Sequence, residues 1–310
     1  MFRRYAKFFI FILLGCLWSG SFIGIKAVVD AWPAFFGASI RASIALVAII
    51  FSKAWLGPQH KINLVLRWKL LFIGIFTQGI PFAFLFWGER FISPGLAGIL
   101  NVTTPIWTYV FTLFLPNKTT CSWLKTLGLL VSILGVIDIF YPHVSFQSDL
   151  TFLYGTAAVL FMAMSYAAGG LFSQFILQEN KFVNFYTNLY YQHWGSFLFL
   201  WLLVIISNSY PTQVSLEHSA LPFVTSLYLG IGSTAIAYSL YYYLIREWDA
   251  LRASTVLYLI PGLTLFWDYL FYRNIPRLNE LIGVLAILCG IGMIQVKNLQ
   301  KQNQRLFKHP

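Results

Sequence analysis

Residues 96–137 read LAGILNVTTPIWTYVFTLFLPNKTTCSWLKTLGLLVSILGVI: an apolar run centred on Thr103-Thr104-Pro105, a short polar break, then a second apolar run. The chain writes this pattern twice. Residues 253–291 read ASTVLYLIPGLTLFWDYLFYRNIPRLNELIGVLAILCGI, and in that register Pro105 answers to Pro261, Thr108 to Thr264, Phe111 to Trp267, Gly128 to Gly283 and Gly135 to Gly290. A register held through two helices and their connector predicts a duplicated unit. The two prolines are its physical core. Pro105 has no N–H, so the carbonyl of Asn101 loses its helical partner, and Pro261 does the same to Leu257. In a bilayer a freed carbonyl must be met by protein or by a wet cavity. One proline reads equally well as a simple kink; helix breaks at two matching positions favour a cavity at the interface between repeats.

Working outward, the rest of the chain is of the same kind. Of 310 residues, 58% are hydrophobic and 10% charged, against about 25% charged in ordinary globular domains. Ten apolar runs approach the ~20 residues a membrane helix needs, near 8–28, 33–55, 68–88, 94–115, 122–141, 151–177, 184–207, 221–244, 251–272 and 280–296. The expected fold is an all-α polytopic membrane protein of about ten transmembrane helices in two five-helix repeats, residues 1–143 and 150–297, with a basic tail at 298–310. An odd number of spans per half inverts the second half in the membrane. The net charge of +11 does not call for nucleic acid. With a cytoplasmic N-terminus, sixteen of the 21 Lys and Arg fall on cytoplasmic segments and three, Arg90, Arg273 and Arg277, on outer ones. That asymmetry is the positive-inside pattern. It predicts an integral membrane protein, of a bacterial inner membrane, with both termini cytoplasmic and lipid as a partner. Cys16, Cys121 and Cys289 show no paired spacing, so no disulfide, metal or cofactor is expected.

Few polar residues interrupt the spans. Arg41 lies about nine residues into the second run, ~13 Å of rise from its start. A cation there is costly and should face a partner or a wet cavity. Asn184, Asn188 and Gln192 form a stripe at helical spacing on the seventh run; it suits interhelical hydrogen bonding as well as a cavity wall, and would offer Arg41 partners. Tyr238 and Tyr241 share a face three residues apart. Lys26, Glu89 and Asp268 lie about 18–20 residues into their spans, ~27–30 Å of rise, at the outer edge of the apolar core. They read either as an outer gate of one cation and two acids or as three separately solvated boundary charges.

The eighth run, Gly232-Ser233-Thr234-Ala235-Ile236-Ala237-Tyr238-Ser239-Leu240-Tyr241 followed by Arg246, makes the sequence recognisable. It resembles the EamA-type branch of the drug/metabolite transporter superfamily. Its weaker counterpart in the first half is Gly88-Glu89-Arg90-Phe91-Ile92-Ser93-Pro94-Gly95-Leu96-Ala97, and the prolines and glycine-rich helices follow in the same order over about residues 8–296. The chain departs from the family where Asn117-Lys118 and Arg273-Asn274 replace a common Gly-Glu, and at Glu89 and Asp268. The resemblance implies a secondary transporter that moves a small organic metabolite by alternating access, with export of amino acids or related compounds the first expectation. It also implies a pathway lined by the first four spans of each half. On those and neighbouring helices Trp18, Arg41, Trp87, Asn101, Thr104, Tyr166, Gln192, Tyr238, Tyr241 and Tyr258 are the candidate lining residues, with Pro105 and Pro261 as helix breaks and Lys26, Glu89 and Asp268 as the gate. Aromatic residues make 19% of the chain and suit a substrate with an apolar or cationic part, although Trp and Tyr also populate membrane interfaces. The rival class is a polytopic enzyme acting on a lipid or lipid-linked substrate. It needs acids or histidines converging at one depth, and no HExxH, nucleophile elbow or phosphate-binding glycine loop is present. The oligomeric state is left open, a monomer included.

Overall fold

The computed structural model describes residues 2–52, 62–115, 123–140, 150–180, 183, 185–211, 220–263, 266 and 278–306. Each of the ten apolar runs carries a helix, and no strand occurs among the described residues. The helices are α1 (Ala6–Val29), α2 (Ala34–Phe51), α3 (Leu64–Gly88), α4 (Pro94–Leu113), α5 (Trp123–Phe140), α6 (Leu150–Glu179), α7 (Tyr186–Ser207), α8 (Ala220–Glu247), α9 (Ala250–Leu263) and α10 (Leu278–Leu306). Seven of them, all but α5, α9 and α10, are long and apolar enough to cross a membrane by length and composition. The all-α polytopic architecture expected from the sequence is the one found.

Side chains are distributed inside out. Phe51, Trp123, Ile206 and Leu278 are exposed on the outer surface, while Thr77, Gln78, Asn188, Gln192 and His193 are buried. An apolar exterior of this extent is a lipid-facing one. Helix starts use ordinary caps. Asn63 accepts from the Leu66 N–H at 2.8 Å, and Ser93, followed by Pro94 at the first helical position, accepts from the Leu96 N–H. Asp249 caps α9 through the Arg252 N–H and pairs with the Arg252 Nε at 2.7 Å.

Helices α5 and α10 pack along a seam of glycines. A Cβ added to Gly128 would lie 2.7 Å from the Gly290 carbonyl oxygen, and one added to Gly283 would lie 2.7 Å from that of Gly135. Position rises along α5 as it falls along α10, so the two helices run antiparallel. Exchanging Gly128 with Gly283 and Gly135 with Gly290, the correspondence read from the sequence, maps one contact onto the other. Antiparallel helices that map onto each other are related by an axis perpendicular to both, which is the inverted relation.

A second correspondence lies in the backbone. Ile75–Gly79 of α3 and Tyr228–Ile236 of α8 are π-helical. The register that carries Pro105 to Pro261 carries the first segment into the second. A π turn passes over a carbonyl that an α turn would use. In α3 the Ile80 N–H reaches the Ile75 carbonyl and passes over Phe76, whose carbonyl accepts the Ser165 hydroxyl at 3.0 Å; the Thr77 carbonyl, whose α-helical donor would be the N–H that Pro81 lacks, accepts the Tyr238 hydroxyl at 3.0 Å. In α8 the Ala237 N–H goes to Gly232 and Thr234 and passes over Ser233.

Candidate functional site

The proline helices break as their chemistry requires. Helix α4 is interrupted at Val102-Thr103 and resumes at Thr104 with Pro105 in its first turn. The Asn101 carbonyl freed by Pro105 accepts the Thr104 hydroxyl at 2.7 Å. Helix α9 tightens to 3₁₀ geometry over Thr255–Tyr258, just before Pro261. Both prolines are buried, and residues preceding each of them face one central cavity: Asn101 and Thr104 from α4, and Ser254, Leu257 and Ile260 from α9.

The remaining wall comes from Trp18, Ser21 and Phe22 of α1, Arg41 of α2, Leu85 of α3, Tyr166 of α6 and Tyr241 of α8. Arg41 supplies the charge. It is 3% exposed; its Nε donates to the Thr234 hydroxyl at 2.8 Å and its Nη2 to the Ser233 carbonyl at 3.4 Å. Its guanidinium carbon stands 4.0 Å from the centre of the Phe82 ring, close enough for cation–π attraction. The Ser233 carbonyl is available because the π turn passes over it, and it also accepts the Trp18 indole N–H at 3.1 Å. The hydroxyls of Ser21 and Ser233 hydrogen-bond to each other. No carboxylate pairs with Arg41 among the described residues. Trp18, Tyr238 and Tyr241 form an aromatic cluster, with Trp18 5.9 Å and 5.4 Å from the two tyrosine rings. The cavity thus offers one fixed cation with unused donors, several hydroxyls and aromatic faces. That is the chemistry to hold a carboxylate attached to a small, partly apolar body.

Six of the ten residues read from the sequence as lining residues face this cavity: Trp18, Arg41, Asn101, Thr104, Tyr166 and Tyr241. The other four stand elsewhere. Tyr238 is packed behind Tyr241, with its hydroxyl on the Thr77 carbonyl. Tyr258 is fully buried beside the cavity without lining it. Trp87 is half-buried against Phe91. Gln192 sits in a packed polar network, where its Oε1 accepts from Thr77 at 2.9 Å and Tyr242 at 2.6 Å and its Nε2 donates to Asn188 at 2.9 Å. The α7 stripe therefore joins helices rather than partnering Arg41, whose partners are on α8; Asn184 lies outside the described residues. Phe82, Ser233 and Thr234, which hold Arg41, and Ser21 and Ser254 in the wall are site residues beyond those expected from the sequence.

The two ends of the bundle carry different contacts. At the end where α1 begins, Lys7 pairs with Glu247, and the Phe11 ring packs tilted against Trp248 with centroids 5.6 Å apart. At the opposite end Lys26 pairs with Asp30 at 2.8 Å, one helical turn along, and its Nζ donates to the backbone carbonyl of Glu89 at 3.3 Å. In this arrangement the carboxylate on Lys26 is that of Asp30, four residues along, while Glu89 meets Lys26 through its backbone carbonyl. Asp268 lies outside the described residues.

The sequence matches the EamA-like transporter family twice, over residues 6–141 and again over residues 153–296. It is 24% identical over 283 residues to the uncharacterized transporter YoaV of Bacillus subtilis, covering 89% of this chain and 92% of that protein. An uncharacterized transporter of Archaeoglobus fulgidus is 27% identical over 302 residues, 93% of this chain and 98% of its own. A probable terminal-alkyne amino-acid exporter of Streptantibioticus cattleyicolor is 21% identical over 297 residues, 94% of each chain. Among solved structures, one crystal structure 18% identical in sequence superposes with a TM-score of 0.74 over 94% of this chain and 97% of that one, a likeness of fold. The spans and these relatives make the chain an integral membrane protein.

Proposed function

Because the chain belongs to the EamA-like transporter family, we propose that it is a secondary transporter exporting a small carboxylate-bearing metabolite, an amino acid or a close relative, by alternating access. The observation that carries this reading is Arg41, a buried cation in the cavity wall with no acidic partner among the described residues. An unpaired buried cation is costly, and a bound carboxylate offsets that cost. Trp18, Tyr166 and Tyr241 give the apolar part of the solute its surface, and Asn101, Thr104 and Ser254 give its polar groups hydrogen bonds. One relative's name, amino-acid exporter, agrees. The distribution of basic residues supports a bacterial inner membrane with both termini cytoplasmic. On that orientation Lys7–Glu247 closes the cytoplasmic end and the Lys26 contacts close the outer end.

The test is counterflow. Purified protein in liposomes loaded with an unlabelled mixture of the common L-amino acids should accumulate at least one labelled amino acid from outside, above protein-free liposomes. No accumulation of any of them in either direction would refute the substrate class.

A further inference from the structure

Glu89 follows the last residue of α3. Its N–H still bonds to the carbonyl of Leu85 at 3.0 Å, and Leu85 lines the cavity. Glu89 therefore lies one helical turn beyond the cavity, toward the outer end. It is 0% exposed, and neither of its carboxyl oxygens has a hydrogen-bond partner among the described residues. The nearest cation does not neutralise it. Lys26 gives Glu89 a hydrogen bond at the backbone carbonyl and gives its ion pair to Asp30, whose side chain is 58% exposed. Beside Lys26, the charged groups that act on Glu89 are Arg41 of α2 and Asp30 at the end of α1; Arg41 is held on Thr234 and Ser233. From α6, Gly155 and Val159 press on Gly88 so closely that a Cβ there would lie 2.7 Å from a Val159 methyl and 3.1 Å from the Gly155 carbonyl oxygen. A carboxylate with no exposed surface and no hydrogen-bond donor among the described residues is strongly disfavoured against the neutral acid.

We propose that Glu89 is the proton-binding site of this protein, and that its protonation is coupled to closure of the outer end. This deepens the transporter reading and rests on it. With the end sealed, the carboxyl holds one proton. When α1 moves away from α3, the Lys26 contact with the Glu89 carbonyl breaks and water enters. The acid then passes its proton to that water, and the carboxylate is left solvated beside Lys26, which can leave Asp30 for it. Closure reverses the step and takes one proton back. The ligand is the proton alone and water is the only co-reactant. The sign follows from the sealed state binding the proton more tightly: low pH favours the closed end, and raising the pH opens it. With one proton linked, the open-to-closed ratio rises about tenfold per pH unit between the two states' titration midpoints.

Two measurements on the full chain in liposomes, without any transported solute, test this. In the first, Cys16, Cys121 and Cys289 are replaced by alanine and spin labels are attached at A31C and L150C, at the outer ends of α1 and α6. The ratio of longer- to shorter-distance populations should grow about tenfold per pH unit between the two midpoints in this background and stay at its low-pH value at every pH after Glu89→Gln. In the second, the infrared C=O band of a protonated carboxyl should be present at neutral pH and vanish on alkalinisation. Glu89→Gln should remove it; Glu89→Asp should restore a titrating band at a shifted midpoint. A distance distribution that ignores pH, or responds equally with glutamine at 89, would overturn the proposal. Absence of the neutral-carboxyl band at pH 7 from protein with Glu89 intact would do the same, whether or not any variant folds. Because no solute is involved, these outcomes are independent of amino-acid counterflow, and failure there would leave them readable.

Discussion

Replacing Arg41 separates recognition of a carboxylate from mere occupancy of the cavity. In Arg41→Gln the side chain keeps polar atoms but loses its charge, so the hydrogen bond from a charged donor to a bound carboxylate is lost. Such bonds contribute about 1.5–3 kcal/mol, which is roughly a 10- to 150-fold weaker Kd. Arg41→Lys keeps the charge but not the planar fork that meets Thr234 at 2.8 Å and Ser233 at 3.4 Å. Its head has no fixed seat, and a loss of about tenfold is expected. The assay is ligand-dependent thermal stabilisation of the purified protein by individual L-amino acids and by their carboxamides, which differ only at the group Arg41 is proposed to read. At a ligand concentration 100 times Kd, binding stabilises the fold by about 2.7 kcal/mol. If Arg41→Gln weakens Kd about 100-fold, the same concentration gives only about 0.4 kcal/mol. The carboxamide should stabilise the unsubstituted protein weakly and the Gln variant to the same small extent. Equal stabilisation of the unsubstituted protein by acid and amide, or an unchanged preference in Arg41→Gln, would refute the assignment.

Three further outcomes follow from the packing. Gly290→Ala should destabilise the protein by about 1–3 kcal/mol, because its Cβ meets Ser132 and the Gly128 carbonyl, whereas Gly292→Ala, with nothing within 4 Å, should be neutral or stabilising; equal melting temperatures would contradict the seam. Tyr242→Phe removes the hydroxyl that donates to Gln192 at 2.6 Å and accepts from Gln78 at 3.2 Å. It should cost about 1–2 kcal/mol in a denaturant titration while leaving amino-acid Kd values unchanged. For Lys7 and Glu247, whose side chains are 22% and 37% exposed, a double-mutant cycle on the population of cytoplasm-open protein should give a coupling below about 1 kcal/mol; a larger value would make this contact a lock rather than a bias.

What could be read from the sequence and what could not divides along physical lines. Arg41 stood out because a cation within an apolar run has few tolerable environments, and Pro105 and Pro261 because a missing N–H is a certainty of covalent structure. The glycine correspondence survived into the packing because close helix approach excludes a Cβ wherever it occurs. The Ser233 carbonyl was invisible. Its freedom comes from a π turn, a hydrogen-bond register that no side chain at that position announces. Gln192 was read as equally suited to a cavity wall or to interhelical bonding because a polar stripe says only that a helix face avoids lipid. Asp30 was legible as Lys26's partner, since its i,i+4 spacing is a signal any helix supplies. A buried carboxyl such as Glu89 is harder: in sequence it resembles every other boundary acid, and only packing distinguishes it.

The glycine seam between α5 and α10 has a consequence for how such a chain can arise. An interface that maps onto itself under a two-fold rotation is isologous: a single surface serves both sides. One five-helix half, inserted in both orientations in the same membrane, would carry everything needed to find its twin through Gly128 and Gly135. Joining the two copies in one gene adds no new contact. It replaces an encounter that depends on abundance by one at the high effective concentration of a tether, and it frees the halves to diverge, so that Arg41 is now held by a partner on the opposite half.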